Sequence, residues 1–132
     1  MTTEVTLTVE ARNSQADAIA RLLDNGSVKV YSGTPPANVD AALSGNTLLA
    51  TNPLSATSAP AASAGAITFS TITDDSSIDA TGTASFYRTF KTDGTTPVTQ
   101  GSVAVSGGSM TLADLALVAG NVFAIASFVH TV

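Results

Sequence analysis

The chain has 132 residues, the length of one domain with one hydrophobic core. It is 44% hydrophobic, 5% aromatic and 11% charged, with a net charge of −5, which argues against both disorder and a nucleic-acid binder. Its basic residues, Arg12, Arg21, Lys29, Arg88 and Lys91, are too few for the counterion-releasing stripe that tracks a phosphate backbone. With no cysteine, disulfides, thiol nucleophiles and Cys-ligated zinc are excluded.

The N-terminus, Met1-Thr2-Thr3-Glu4-Val5, has no basic region followed by an apolar run, so no signal peptide is expected. No window approaches the roughly 20 apolar residues of a membrane helix. The expectation is a chain made in, and soluble in, the cytoplasm, with no membrane partner. Residues 3–10 alternate, with Val5, Leu7 and Val9 against Glu4, Thr6, Thr8 and Glu10. That period of two predicts a strand, and residues 1–10 can serve as an arm exchanged with a neighbouring copy. Residues 14–25 predict the one helix. Asn13 or Ser14 caps it, Ala16, Ile19, Ala20 and Leu23 form its apolar stripe, and Asp17 precedes Arg21 by the pairing interval. Gly26 is expected to stop it in the left-handed conformation.

Residues 26–51 organise the chain. Val28, Val30 and Tyr31 mark one strand, and Leu48 and Leu49 mark the next. Gly33, Pro35, Pro36 and Gly45 exclude regular structure between them. A loop of that length in a compact domain is functional or unfolded. From Ala41 to Thr73 no residue is charged. Within this tract residues 55–65 are Ala/Ser-rich, either a flexible linker or an extended segment lying on another subunit. Neither stretch holds enough large apolar side chains to offset its ordering entropy, so both are expected to order only against a partner.

Ile67 and Phe69 mark a strand over 66–72, and Ala84, Phe86 and Phe90 share the core face of a longer one over 80–92. Arg88 has the same parity, which predicts a bulge or a packed stem with an emerging head. Asp93-Gly94 is a hairpin signal, and Pro97 delays the return strand. Val122 to Val132 is apolar on both parities, which predicts burial on both faces. Short strands with frequent turns, one helix and no repeat predict a single mainly β domain over 1–132. The expected architecture is an antiparallel, jelly-roll-like β-sandwich of seven to nine strands with one short amphipathic helix near the N-terminus.

Catalytic signals are weak. His130 is the lone histidine, no Gly-x-Ser-x-Gly elbow exists, and one histidine cannot build a histidine-based zinc site. Asp74, Asp75 and Asp79 lack the spacing of a calcium loop and read as a solvated turn. The same acids make a poor glycosidase pair, and no tryptophan lines a sugar cleft. No phosphate-cradling Gly-rich loop is present. Phe86, Tyr87 and Phe90 read as core rather than as a base-stacking platform. No enzyme activity, cofactor or metal is expected.

The run from Lys29 to Ser32, followed by Gly33-Thr34-Pro35-Pro36-Ala37 and then Leu48-Leu49-Ala50, resembles a family of small structural proteins of tailed bacteriophages. The runs from Ala80 to Arg88, Asp93-Gly94-Thr95, and Val118 to Ile125 are similar to it as well. The resemblance covers most of residues 12–130 and rests on loop and strand residues, so it transfers no site residue. It implies a β-sandwich and a capsid decoration, or cement, protein on the outer surface of the virion, bridging major capsid subunits and contacting copies of itself. A trimer is slightly favoured over a dimer. The alternative is a tail, neck or baseplate component; a small hydrolase or carbohydrate-binding module is the reading from another class. The expected interface residues are Val5, Leu7, Val9, Pro35, Pro36, Phe123, Ile125 and Val129.

Overall fold

The structure, a computed structural model, describes residues 6–107 and 109–131. The chain is mainly β with one helix. Helix α1 spans Val9–Leu23, and nine strands follow: β1 Ser27–Tyr31, β2 Leu48–Pro53, β3 Ala66–Thr68, β4 Gly82–Thr83, β5 Phe86–Phe90, β6 Pro97–Ala104, β7 Met110–Thr111, β8 Ala116–Leu117 and β9 Ser127–Thr131.

The helix starts earlier than the sequence reading places it. Thr8 is the N-cap, in extended conformation, with its hydroxyl accepting from the Ala11 N–H at 3.1 Å. A hydroxyl that satisfies an orphan first-turn donor outweighs the short alternation that predicted a strand over 3–10. Val9 is therefore helical and residues 6–8 form no strand, while Val5 lies outside the described residues. The helix also stops differently. Asn25, not Gly26, takes the left-handed conformation, at φ 59°. Asp17 does not pair with Arg21; Arg21 donates to Asp24 at 3.0 Å instead.

Ala16, Ala20 and Leu23 form the buried face of α1, and Ile19 is only half-buried beside them. Leu23→Ala is expected to lose about 2–5 kcal/mol and Ile19→Ala clearly less, read as shifts in urea midpoint. Equal losses would mean the stripe is seated differently.

Seven strands form one open sheet in the order β2-β1-β5-β6-β7-β9-β3, and β4 pairs with β8 in a separate ribbon. The pairing is antiparallel except for β6 with β7, where Val103 and Ala104 run parallel to Met110 and Thr111. The all-antiparallel expectation is corrected there. The helix packs on β3 and β6. Val28, Val30, Leu49, Tyr87, Met110 and Phe128 belong to the main core on that side. Tyr31, Phe86 and Phe90, with Leu48, form a second cluster on the other face, where the Tyr31 and Phe86 rings stack at 5.3 Å.

Burial on both faces was expected of the last strand and belongs to β5, whose five residues are all buried. β9 is shorter than the apolar run that predicted it, and only Phe128 within it is buried. The cover over β5 comes from the loop that follows β1.

Candidate functional site

The loop of residues 33–46 is pinned over the second face by polar side chains. Arg88 is 4% exposed and reaches that face because it shares the parity of Phe86 and Phe90. Its Nε donates to Gln100 Oε1 at 2.8 Å, and its Nη2 donates to the carbonyls of Ala41 at 2.7 Å and Asn38 at 3.3 Å. Gln100 Nε2 donates to the Pro36 carbonyl, and Asn46 Nδ2 to those of Ser32 and Thr34. Backbone carbonyls thus satisfy a buried cation that would otherwise be costly. The expectation that this loop orders only against a partner is corrected: the anchors are polar, and a count of apolar side chains misses them.

The Ala/Ser-rich tract is held in a similar way. Along α1, Asn13, Asp17 and Asp24 accept from the backbone N–H groups of Gly65, Ala62 and Ser58, at 2.8 Å each. Arg21 Nη2 donates to the Ala59 carbonyl, and Ser58 Oγ to that of Ala20. Spacings of four, four and three place these side chains on one helix face. The tract is not a free linker; it runs along its own helix.

Exposed apolar ground lies between β8 and β9. A cleft of about 260 Å³ is lined by Ile78, Leu117, Val118, Val122 and Phe123, among others. Val118 is 51% and Val122 64% exposed. Two short pairings place them: β4 with β8, and an isolated bridge between Asp75 and Phe123. The turn at Gly120, with φ 89°, carries the two valines outward on either side.

The residues expected to form an interface do not gather in one place. Leu7 and Val9 are exposed at the start of α1, Pro35 is exposed on the loop, and Pro36 is half-buried with its carbonyl taken by Gln100. Phe123 does not want for cover: it is 4% exposed, inside the main core. Ile125 and Val129 are half-buried. Val118 and Val122 were missed. Their signal was the Gly120-Asn121 turn, which makes flanking apolar residues candidates for exposure.

His130 lies on β9 opposite Ile67 and lines a second cleft of about 500 Å³ with Tyr87, Gln100 and Ser109. Burial pushes its pKa below the ordinary histidine value and that of Tyr87 above the ordinary tyrosine value. Among the described residues no acidic side chain lines that cleft, so none of them supplies a carboxylate to orient the histidine. Asp75 accepts from Thr51 and Ser77 N–H groups, so it serves the backbone. Among the described residues no three His, Asp or Glu side chains stand close enough to hold a metal ion, and no helix is long and apolar enough to cross a membrane.

Asp93 organises the β5–β6 connection. Its carboxylate accepts from the Thr96 hydroxyl and from the Thr96 and Thr95 N–H groups, and these hold its pKa at about 2, below the usual 3.8. The Ser58 N–H, and then Arg21, lower that of Asp24. A depressed carboxylate pKa stabilises the fold above the unfolded value and ceases to as pH falls through the folded one. Stability should therefore fall between about pH 4 and about pH 2, and Asp93→Asn, which cannot titrate, should flatten part of that limb. An unchanged acid limb would contradict it.

Comparison with protein-family models, with curated proteins and with solved structures finds no match to this chain.

Proposed function

We propose that this chain is a non-enzymatic structural protein of a bacteriophage virion, a capsid decoration protein that bridges major capsid subunits and contacts copies of itself on the outer head. The observation that carries the protein-contact part is the apolar cleft with its exposed Val118 and Val122. Apolar surface on a charge-poor chain is suited to docking with little desolvation penalty, Asp114 being the one charged residue that lines the cleft. The resemblance of the loop and strand motifs to small phage structural proteins supplies the capsid assignment. The finer architecture proposed is jelly-roll-like, with the open sheet curled about α1 between β3 and β6.

The mechanism is multivalent clamping, in which many weak contacts act together and raise the temperature or pressure at which the shell fails. Particles assembled without the protein, or with Val118→Asp and Val122→Asp together, should fail earlier under heat, chelation and osmotic shock. Particles as robust as the wild type would overturn the cementing role. Stable heads that lack tails or do not adsorb would transfer the protein to the tail, neck or baseplate.

A further inference from the structure

The large sheet has a gap on one side of β7. β7 begins beside Val103, so it separates β6 from β9 only at its own two residues. One residue earlier, the Ser109 carbonyl accepts from Val129, the last such bond among the described residues. Residues 97–102 of β6 pair only with β5, and Thr131 of β9 pairs only with β3, among the described residues. The two strands that flank an intervening one stand roughly 10 Å from each other, twice the usual spacing. The cleft of about 500 Å³ lies here, with Gln100 on one wall, Val129, His130 and Thr131 on the other, and Tyr87 also lining it.

The walls carry backbone groups aimed into the gap. Val103 N–H donates back to the carbonyl of Ser85, the residue before β5. In an antiparallel ladder the direction alternates, so Gly101 also faces β5 while Gln100 and Ser102 face the gap. The Tyr87 ring lies across Gly101, where a Cβ would come within 2.7 Å of it, and meets the Phe128 ring edge-on at 5.0 Å. Two paired edges above an aromatic base suit an extended segment with alternating apolar side chains.

Residues 2–8 have that pattern, with Val5 and Leu7 apolar between Glu4, Thr6 and Thr8. The described part of this segment, residues 6–8, is exposed and forms no strand in its own fold. Asn13, in the second turn of α1, binds the Gly65 N–H, next to Ala66, the partner of Thr131, which sets that part of the helix beside β3 and β9. We infer that residues 2–8 of a second copy enter the gap between β6 and β9 as an added strand, so that copies associate by exchanging arms. This rests only on the self-association part of the proposed function. Its test uses the purified chain without particles, so a failed capsid assignment leaves it standing.

The test compares the intact chain, an arm variant with Val5→Asp and Leu7→Asp, and an edge variant, Ser102→Pro, that removes a donor facing the gap. Sedimentation gives the mass, and amide exchange gives the protection of Gln100 and Ser102. The expected result is an associating wild type with both amides protected, and two variants that are monomeric, with Gln100 protection lower by tenfold or more. An equimolar mixture of the two variants should regain a heterodimer, since one intact arm then meets one intact edge. Four outcomes overturn the inference: a wild type monomeric at all concentrations with both amides unprotected; both amides protected in a monomer, which places the arm in its own gap; an arm variant that associates normally, which moves the contact elsewhere; or a mixture that stays monomeric. If Ser102→Pro does not fold, the arm variant alone decides, because Leu7 is exposed and its change leaves the core intact.

Discussion

Gly26→Ala is expected to be the most damaging single-methyl change in the chain. Gly26 joins the helix to β1 with its N–H on the Leu23 carbonyl and its own carbonyl accepting from Leu54. A Cβ there would stand 2.2 Å from the Phe90 carbonyl oxygen and 2.9 Å from that of Leu23. Both obstacles are backbone, so no side-chain rotation relieves them. The helix end would have to lift from β5, opening the core around Leu23. The expected loss is about 4 kcal/mol or more, a large part of the stability of a domain this size. Gly45→Ala is the control: Gly45 has φ 69° but nothing within 4 Å of its Cβ position, so only the left-handed strain remains, about 1 kcal/mol. Urea midpoints of the two variants should differ severalfold in their shift from wild type. Similar shifts would show that the contact with Phe90 is not what fixes this position.

Arg88→Ala ranks second. It leaves the carbonyls of Asn38 and Ala41 and the Gln100 side chain without their donor, and opens space beside Phe86 and Phe90. The carbonyls can turn to water once the loop lifts, which limits the loss to on the order of 3 kcal/mol. That corresponds to a fall in Tm of roughly 10 °C. The local signature matters more than the global one. Amides of residues 37–46 should exchange at least tenfold faster, while those of α1 should change only as much as global stability does. Unchanged loop protection would mean that Gln100 and Asn46 suffice to hold it.

The parts legible in the sequence were those set by neighbours along the chain. Ala16, Ala20 and Leu23 at helical spacing named the buried face of α1, and Val28 and Val30 named the inward face of β1. Asp93-Gly94 marked the β5–β6 connection, although the turn is built by the Asp93 carboxylate on Thr95 and Thr96 rather than as a tight two-residue turn. Contacts between distant residues were not legible. Arg88 is buried because carbonyls 47 and 50 positions away reach it, and no local pattern announces a carbonyl acceptor. Asp17 and Arg21 read as a surface pair and Asn13 as a candidate cap, yet together with Asp24 they hold the tract that contains Ser58 and Ala62. Of the surface, Leu7 and Val9 were expected on a strand and instead are exposed at the start of α1, and Phe123 was misjudged because its parity gave no hint of the bridge to Asp75 that draws it inward. Val118 fell within a run used for the resemblance and Val122 was read as the start of a strand buried on both faces; the exposure of both depends on how the Gly120 turn projects from the β4–β8 ribbon.

The central proposal, a decoration protein of a phage head, is tested most directly by counting. Purified particles would be resolved on a denaturing gel, and this chain quantified against the major capsid protein. Hundreds of copies per particle, in a fixed ratio to the capsid subunits, is the result expected of a protein that clamps the shell. A handful to dozens per particle, or none, would contradict it.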